Sequence, residues 1–299
     1  MQWTLDGGAA IELRTPNELS EVLKSHALPA RLAHEAASPT ACKAEPQEGF
    51  LFGTLLVPAK GAAAGEHLRE HAGALRATFF FFPEKLVFFD LNGRLEALLP
   101  ELIDSRKNSQ PTLEQLFYDL LEALIDEDPA FAHKIEEHIS NLEDQILEGE
   151  AESIDLNRKI APIRRRLLFL SRYYDQLVNL GQELQENENG LFTEEGTRRF
   201  RMFTERAHRL YDHIQFLRDY SIQLREIYQS QIDLRQNTIM KLLTVVTTIC
   251  LPLTIIVGWY GMNFVMPELQ WRGGYLYVIV LSLAVLGLVI WYFKKKKFL

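Results

Sequence analysis

The stretch IMKLLTVVTTICLPLTIIVGWY, residues 239–260, carries one charge, Lys241. It is followed by Gly261-Met262-Asn263 and then by YLYVIVLSLAVLGLVIWYF, residues 275–293. At about 1.5 Å per residue the first run makes roughly 33 Å of helix and the second roughly 28 Å, so each is long enough to cross a hydrocarbon core about 30 Å thick. Arg235 and Lys241 stand at the start of the first span and Lys294 to Lys297 follow the second, whereas the short connection offers Arg272 against Glu268. That bias places both chain ends in the cytoplasm and the connection outside. Trp259, Tyr260, Trp271, Tyr275 and Tyr277 gather at the outer end, and Trp291, Tyr292 and Phe293 at the inner one. These are the two headgroup levels where amphipathic rings settle.

Working back from the first span, no proline occurs between Thr193 and Pro252. Phe200, Phe203, Ala207, Leu210, Ile214, Leu217, Ser221, Leu224 and Tyr228 recur at spacings of three and four, a coiled-coil-like seam. The pattern predicts one helix over 193–260, on the order of 100 Å long. Upstream, helical patterns cover Thr112–Glu127, then a segment opened by Asp128-Pro129 and ending near Gly149, then one capped by Ser153 and running to about Asn187. The last two are expected to form an antiparallel pair. The first of them is acidic through Glu136, Glu137, Glu143, Asp144 and Glu148, which reads either as a solvated face or as a surface that draws divalent cations.

The first hundred residues mix short β-rich runs with helical ones. Gln2–Leu5, Ile11–Arg14, Phe50–Val57, Arg76–Phe82 and Lys85–Asp90 read as strands, Asn17–Ser25 and Arg94–Ser105 as helices, and Ala59–Gly65 as a connection. The expected fold class is therefore α+β. A cytoplasmic α/β domain (1–110) leads into a helical hairpin region (111–192) and a stalk helix that continues as the first span (193–260). A loop (261–274), the second span (275–293) and a basic tail (294–299) complete the chain.

A net charge of −8 and a pI near 5.6 argue against a nucleic-acid partner despite Arg164-Arg165-Arg166. Met1 to Asp6 lacks the basic and apolar regions of a cleavable signal peptide, so the large N-terminal region is expected to stay inside. Cys42 and Cys250 lie far apart and outside any metal-binding spacing. His67 and His71 share a helical face with Glu66 and Glu70 beside them, a transition-metal pattern that lacks a third fixed ligand. His133/His138 and His208/His213 are five apart, poor for one face. With no phosphate loop or nucleophile constellation, neither an enzyme nor ATP-driven transport is indicated, and no cofactor is expected.

Chemistry concentrates on one face of the first span. Asn237, Met240, Thr244, Thr247, Leu251, Thr254 and Gly258 recur at alternating spacings of three and four, while other faces carry Leu242, Val245, Ile249, Leu253 and Ile256. Polar groups are costly against lipid, so this stripe turns toward protein or a watery cavity. A two-span chain is too small to enclose a pore, so several copies must surround a common axis, or else the stripe is a helix–helix contact without a lumen. Gly261 can take the left-handed conformation that ends a helix and leaves its last carbonyls free, and Asn263 adds an amide oxygen per copy. A ring of such neutral oxygens suits Mg²⁺, which keeps several of its waters.

Asn237-Thr-Ile-Met240-Lys-Leu-Leu-Thr244, Leu251-Pro252-Leu253-Thr254, Tyr260-Gly261-Met262-Asn263-Phe264, Met266-Pro267-Glu268-Leu269 and the ending from Tyr292 to Leu299 together resemble the CorA family of magnesium channels over about 237–299. The resemblance implies a homopentameric funnel in a bacterial cytoplasmic (inner) membrane, taking up Mg²⁺ passively, with Co²⁺, Ni²⁺ or Zn²⁺ as other cargo. It implies an outer selectivity ring at Gly261, Met262 and Asn263, the Asn263 ring binding the hydrated ion. The lining would be Asn237, Met240, Thr247, Leu251, Thr254 and Gly258, with Met240 and Leu251 as hydrophobic gates. Glu268 matches the family's acidic outer-loop residue and reads as a cation attractor or as a solvated loop charge. The family's magnesium-sensing aspartates find no secure match, although the stalk offers Glu205, Asp212, Asp219 and Glu226, the last near the cytoplasmic mouth. Two alternatives stand beside this reading: a transporter of the related ZntB branch that moves zinc with protons, and a membrane-anchored coiled-coil scaffold or sensor.

Overall fold

The computed structural model describes residues 1–5, 8–19, 22, 30–58, 74–106, 111–148, 155–262 and 273–295. Six strands, β1 (Gln2–Thr4), β2 (Ala10–Arg14), β3 (Lys43–Gln47), β4 (Phe50–Val57), β5 (Leu75–Phe81) and β6 (Lys85–Asp90), form one sheet in the order β1-β2-β6-β5-β4-β3. β2 runs parallel to β6, and the other neighbours are antiparallel.

The near-continuous apolar runs of β4, β5 and β6 follow from cover on both faces of the sheet. On one face Phe52, Phe80, Val87 and Phe89 pack with Leu32 and Ala36 of α1 (Ala30–Ala37), and the Thr78 hydroxyl donates to the Ala36 carbonyl at 2.9 Å. On the other, Phe79, Phe81 and Phe88 surround Phe117 of α3 (Leu113–Ile125), which meets Phe200 in turn. The Phe79 ring lies across Gly53, where any Cβ would overlap it. α2 (Leu95–Ser105) starts under the Asp90 carboxylate, which accepts from the backbone N–H groups of Asn92, Gly93, Leu95 and Glu96 at 3.1, 2.9, 2.6 and 3.3 Å.

Two elements depart from expectation. β3 carries Pro46, which breaks the strand signal but is tolerated at a sheet edge, and α1 is only eight residues of alanine-rich sequence. Of the helix expected over 17–25, Pro16–Glu18 forms a short 3₁₀ turn, Leu19 and Val22 are helical and buried, and the remainder lies outside the described residues, as does the connection at 59–65.

α4 (Asp128–Leu147) and α5 (Leu156–Glu186) pair antiparallel: Lys159 donates to Gln145 at 3.3 Å, and the Arg166 guanidinium sits 4.2 Å over the Phe131 ring. Asp155 rather than Ser153 caps α5, accepting from the Arg158 N–H at 3.2 Å, and Ser153 lies outside the described residues. α5 stops at Asn187, whose φ of 48° is the left-handed cap that asparagine tolerates. Thr193 then caps α6 (Glu194–Tyr260) by accepting from Gly196 N–H at 3.1 Å, and α6 runs unbroken for 67 residues. Its seam from Phe200 to Leu224 is buried, with Tyr228 half-buried. Gly181 brings α5 close to α6, since a Cβ there would stand 2.5 Å from the Thr204 hydroxyl, and Gln215 donates to the Ser171 hydroxyl at 2.8 Å. α7 (Gly274–Lys295) is the last helix described.

The chain divides into two compact units, Met1–Gln145 with Asp155–Arg225, and Ile146–Ile154 with Glu226–Leu299. The first holds the sheet and its covering helices. The second holds the two apolar helices.

Candidate functional site

Both terminal helices, α6 in its last third and α7, are long and apolar enough to cross a membrane. Each carries one shielded stripe: Val245, Ile249, Leu253, Ile256 and Tyr260 on α6, and Val278, Ser282, Val285, Val289 and Phe293 on α7. At about 100° per residue, the α6 stripe lies on the side opposite Asn237, Met240, Thr244, Thr247, Leu251, Thr254 and Gly258. Those seven residues are all exposed, Met240 at 58% and Leu251 at 57%. The stripe singled out by polarity is thus fully exposed in this chain, as are the apolar residues Leu242, Leu243, Val246, Ile255 and Val257 beside it.

The threonines are chemically prepared. Thr244, Thr247 and Thr254 donate their hydroxyl hydrogens to the carbonyls of Met240, Leu243 and Cys250 at 2.7, 2.7 and 2.9 Å. With the hydrogen engaged, each oxygen presents lone pairs outward and accepts from the waters around a cation. Pro252, half-buried and off this stripe, lacks the N–H that would otherwise bond the Thr248 carbonyl. Gly258 faces open space, where a Cβ would meet nothing within 4 Å.

At the outer end the expectation for Gly261 needs correcting. Gly261 is not left-handed: its N–H still bonds the Val257 carbonyl at 2.8 Å, and the Met262 N–H bonds Trp259 at 3.3 Å. The helix closes by tightening, and glycine is needed because a Cβ would stand 2.9 Å from the Val257 oxygen. Asn263 and Glu268 lie outside the described residues, as do Trp271, His67 and His71. Of the inner aromatic group, Trp291 and Tyr292 are exposed, with Lys295 5.1 Å over the Trp291 ring, while Phe293 is buried.

At the inner end Glu226, Asp233 and Asn237 line one exposed face of α6 with Gln229, Ser230 and Leu234. Gln229 donates to Asp233 at 3.0 Å, and Glu226 is exposed. Among the described residues no three histidine, cysteine or acidic side chains are gathered to hold a metal. Both cysteines are free, and burial pushes the Cys42 thiol up to about 12.

A family model described as CorA-like Mg²⁺ transporter protein matches residues 29–295. The chain belongs to the CorA family. It is 33% identical over 188 residues to a cobalt/magnesium transport protein CorA of Thermotoga maritima, covering 62% of this chain and 53% of that one. It is 30% identical over 187 residues to a putative metal ion transporter YfjQ of Bacillus subtilis, covering 60% of this chain and 56% of the other. The chain thus spans about half the length of these curated relatives. Its fold matches the complete structure of a CorA magnesium transporter from Methanocaldococcus jannaschii with a TM-score of 0.76 at 19% identity, over 98% of this chain and 92% of that one. The mixed sheet, the long helix and the two apolar helices are therefore the CorA architecture.

Proposed function

We propose that copies of this CorA-family chain surround a pore that admits hydrated divalent cations, Mg²⁺ foremost, through a bacterial cytoplasmic membrane, with both chain ends in the cytoplasm. One observation carries the reading: on α6 every residue of the polar stripe is exposed, while the opposite, apolar face is partly shielded. Exposed threonines in a bilayer are costly, and the same face turned to a shared lumen is satisfied. The family's assembly favours five copies. Gly261, Met262 and Asn263 form the outer ring, Met240 and Leu251 the apolar collars, and Glu268 and Glu226 the outer and inner attractors of cations. Flux is passive, since an inside-negative potential contributes about 4.6 kcal/mol per 100 mV for a doubly charged ion.

Purified protein in liposomes, loaded with a Mg²⁺ or Zn²⁺ indicator and assayed with and without a proton gradient, tests this. Mg²⁺ entry that follows the membrane potential and ignores the proton gradient is expected, and entry of Zn²⁺ alone, driven by protons, would reject it. Asn263→Ala removes one amide oxygen per copy. A hydrogen bond to a charged group contributes about 1.5–3 kcal/mol, so Mg²⁺ flux should fall by roughly tenfold or more with oligomer size unchanged.

A further inference from the structure

Between Leu156 and Arg172, α5 carries six basic residues and no acidic one, in a chain of net charge −8. Arg158, Arg165 and Arg172 are spaced by seven and exposed, and their side chains have no ion-pair partner among the described residues. α6 carries the opposite pattern: Asp212, Asp219 and Glu226 are also spaced by seven and exposed, and among the described residues Asp212 alone is engaged, by His208 at 2.9 Å. We infer that neighbouring copies of the chain are joined by an ionic zipper in which the arginine line of α5 meets the carboxylate line of α6 on the next copy.

Three observations converge on it. First, the lines cannot meet within one chain. The two helices touch where Gly181 faces Thr204 and Phe203 and where Ser171 accepts from Gln215, beside the buried stripes that each helix turns into the core. At about 100° per residue the arginine line falls on the far side of α5 from Ser171 and Gly181, whereas the carboxylate line lies about 50° around α6 from Thr204 and Gln215, so the arginines face away from α6 and the carboxylates flank its contact with α5. Second, the levels agree. The Gln215–Ser171 hydrogen bond and the Gly181–Thr204 contact set an antiparallel register that brings Arg172 within about two residues of the level of Asp212, and Arg165 equally near that of Asp219. Two residues are about 3 Å of rise, within reach of an arginine side chain. Third, a helix pair with arginines on one surface and carboxylates on another suits head-to-tail contact, which closes into a ring under cyclic symmetry. Rotation about an axis along α6 keeps every residue at its own level, so each arginine arrives opposite a carboxylate. Anionic lipid headgroups would also attract the arginines, but they call for neither the spacing of seven nor the matching levels.

The inference rests on the cyclic assembly proposed above, and its test separates the two. Full-length protein in lipid carries Cys250→Ser, so that only the buried Cys42 remains of the native thiols. Arg165→Cys and Asp219→Cys are added together and singly, and a bismaleimide spanning roughly 8 Å, a length suited to an arginine–carboxylate pair, is applied. The double variant should give a covalent ladder up to the full oligomer, and each single variant should not. Separately, Arg165→Glu with Arg172→Glu should dissociate the oligomer at roughly 0.15 M salt, and adding Asp212→Arg with Asp219→Arg should restore it. An intact oligomer that yields no ladder overturns the zipper and leaves the pore reading standing. Charge reversal that alters flux in anionic vesicles alone, without a ladder, assigns the arginines to lipid and also overturns it. A monomer that conducts overturns both.

Discussion

Thr254 gives its hydroxyl hydrogen to Cys250 and keeps its lone pairs for the open face. Thr254→Val preserves shape and removes those lone pairs, so at about 1 kcal/mol per lost contact Mg²⁺ flux should fall several-fold, while Thr254→Ser should stay near the parent value in the same liposome assay. Met240, on the same face, offers a bare thioether and methyl group instead. Comparing Met240→Ser with the nearly equal-sized Met240→Ala separates two gates: a dewetting barrier predicts greater leak for serine, and simple steric closure predicts equal leak. No change with either substitution removes Met240 from the gate. That Thr254 and Met240 lie on one helix face was readable in advance, because spacing lives in the sequence. The conformation of Gly261 was not, since glycine permits a left-handed end and a tight right-handed one alike, and the choice is made by how close the Val257 carbonyl comes.

Among the elements, α2 depends on a single side chain outside it. Four backbone N–H groups converge on Asp90, so Asp90→Ala strands several donors and should lower the unfolding free energy by about 2–3 kcal/mol, read as a reduced midpoint in denaturant followed by circular dichroism. Asp90→Asn, which keeps an acceptor oxygen, should lose less. The long helices were legible because their apolar periodicity persists over many turns and averages out local exceptions. β3 was hidden for the converse reason: five residues with a proline hold too little pattern, and the strand exists because β4 offers it an edge. The Asp155 cap shows a similar limit. Ser153 and Asp155 are both good cap residues two positions apart, and only the helix start decides between them.

For the whole molecule, the order of its parts could be read from composition: a sheet, then helices, then two apolar runs. The cover on the two faces of the sheet could not, because Phe79, Phe117, Phe192 and Phe200 come together from three regions of the chain. The 67 residues of α6 also act as an angular ruler. In an uninterrupted helix, position along the axis and direction around it are tied together, so length can be altered only by changing aim. One alanine inserted between Ser230 and Asp233 turns everything beyond it by about 100° and advances it about 1.5 Å, so Thr244, Thr247 and Thr254 keep their common face but aim it in a new direction relative to the helix before the insertion. Seven inserted residues return the direction to within about 20° while adding roughly 10 Å. If aim governs conduction, the single insertion should abolish Mg²⁺ flux and the far larger one should recover part of it. The reverse ranking would make distance, rather than direction, the quantity this helix preserves.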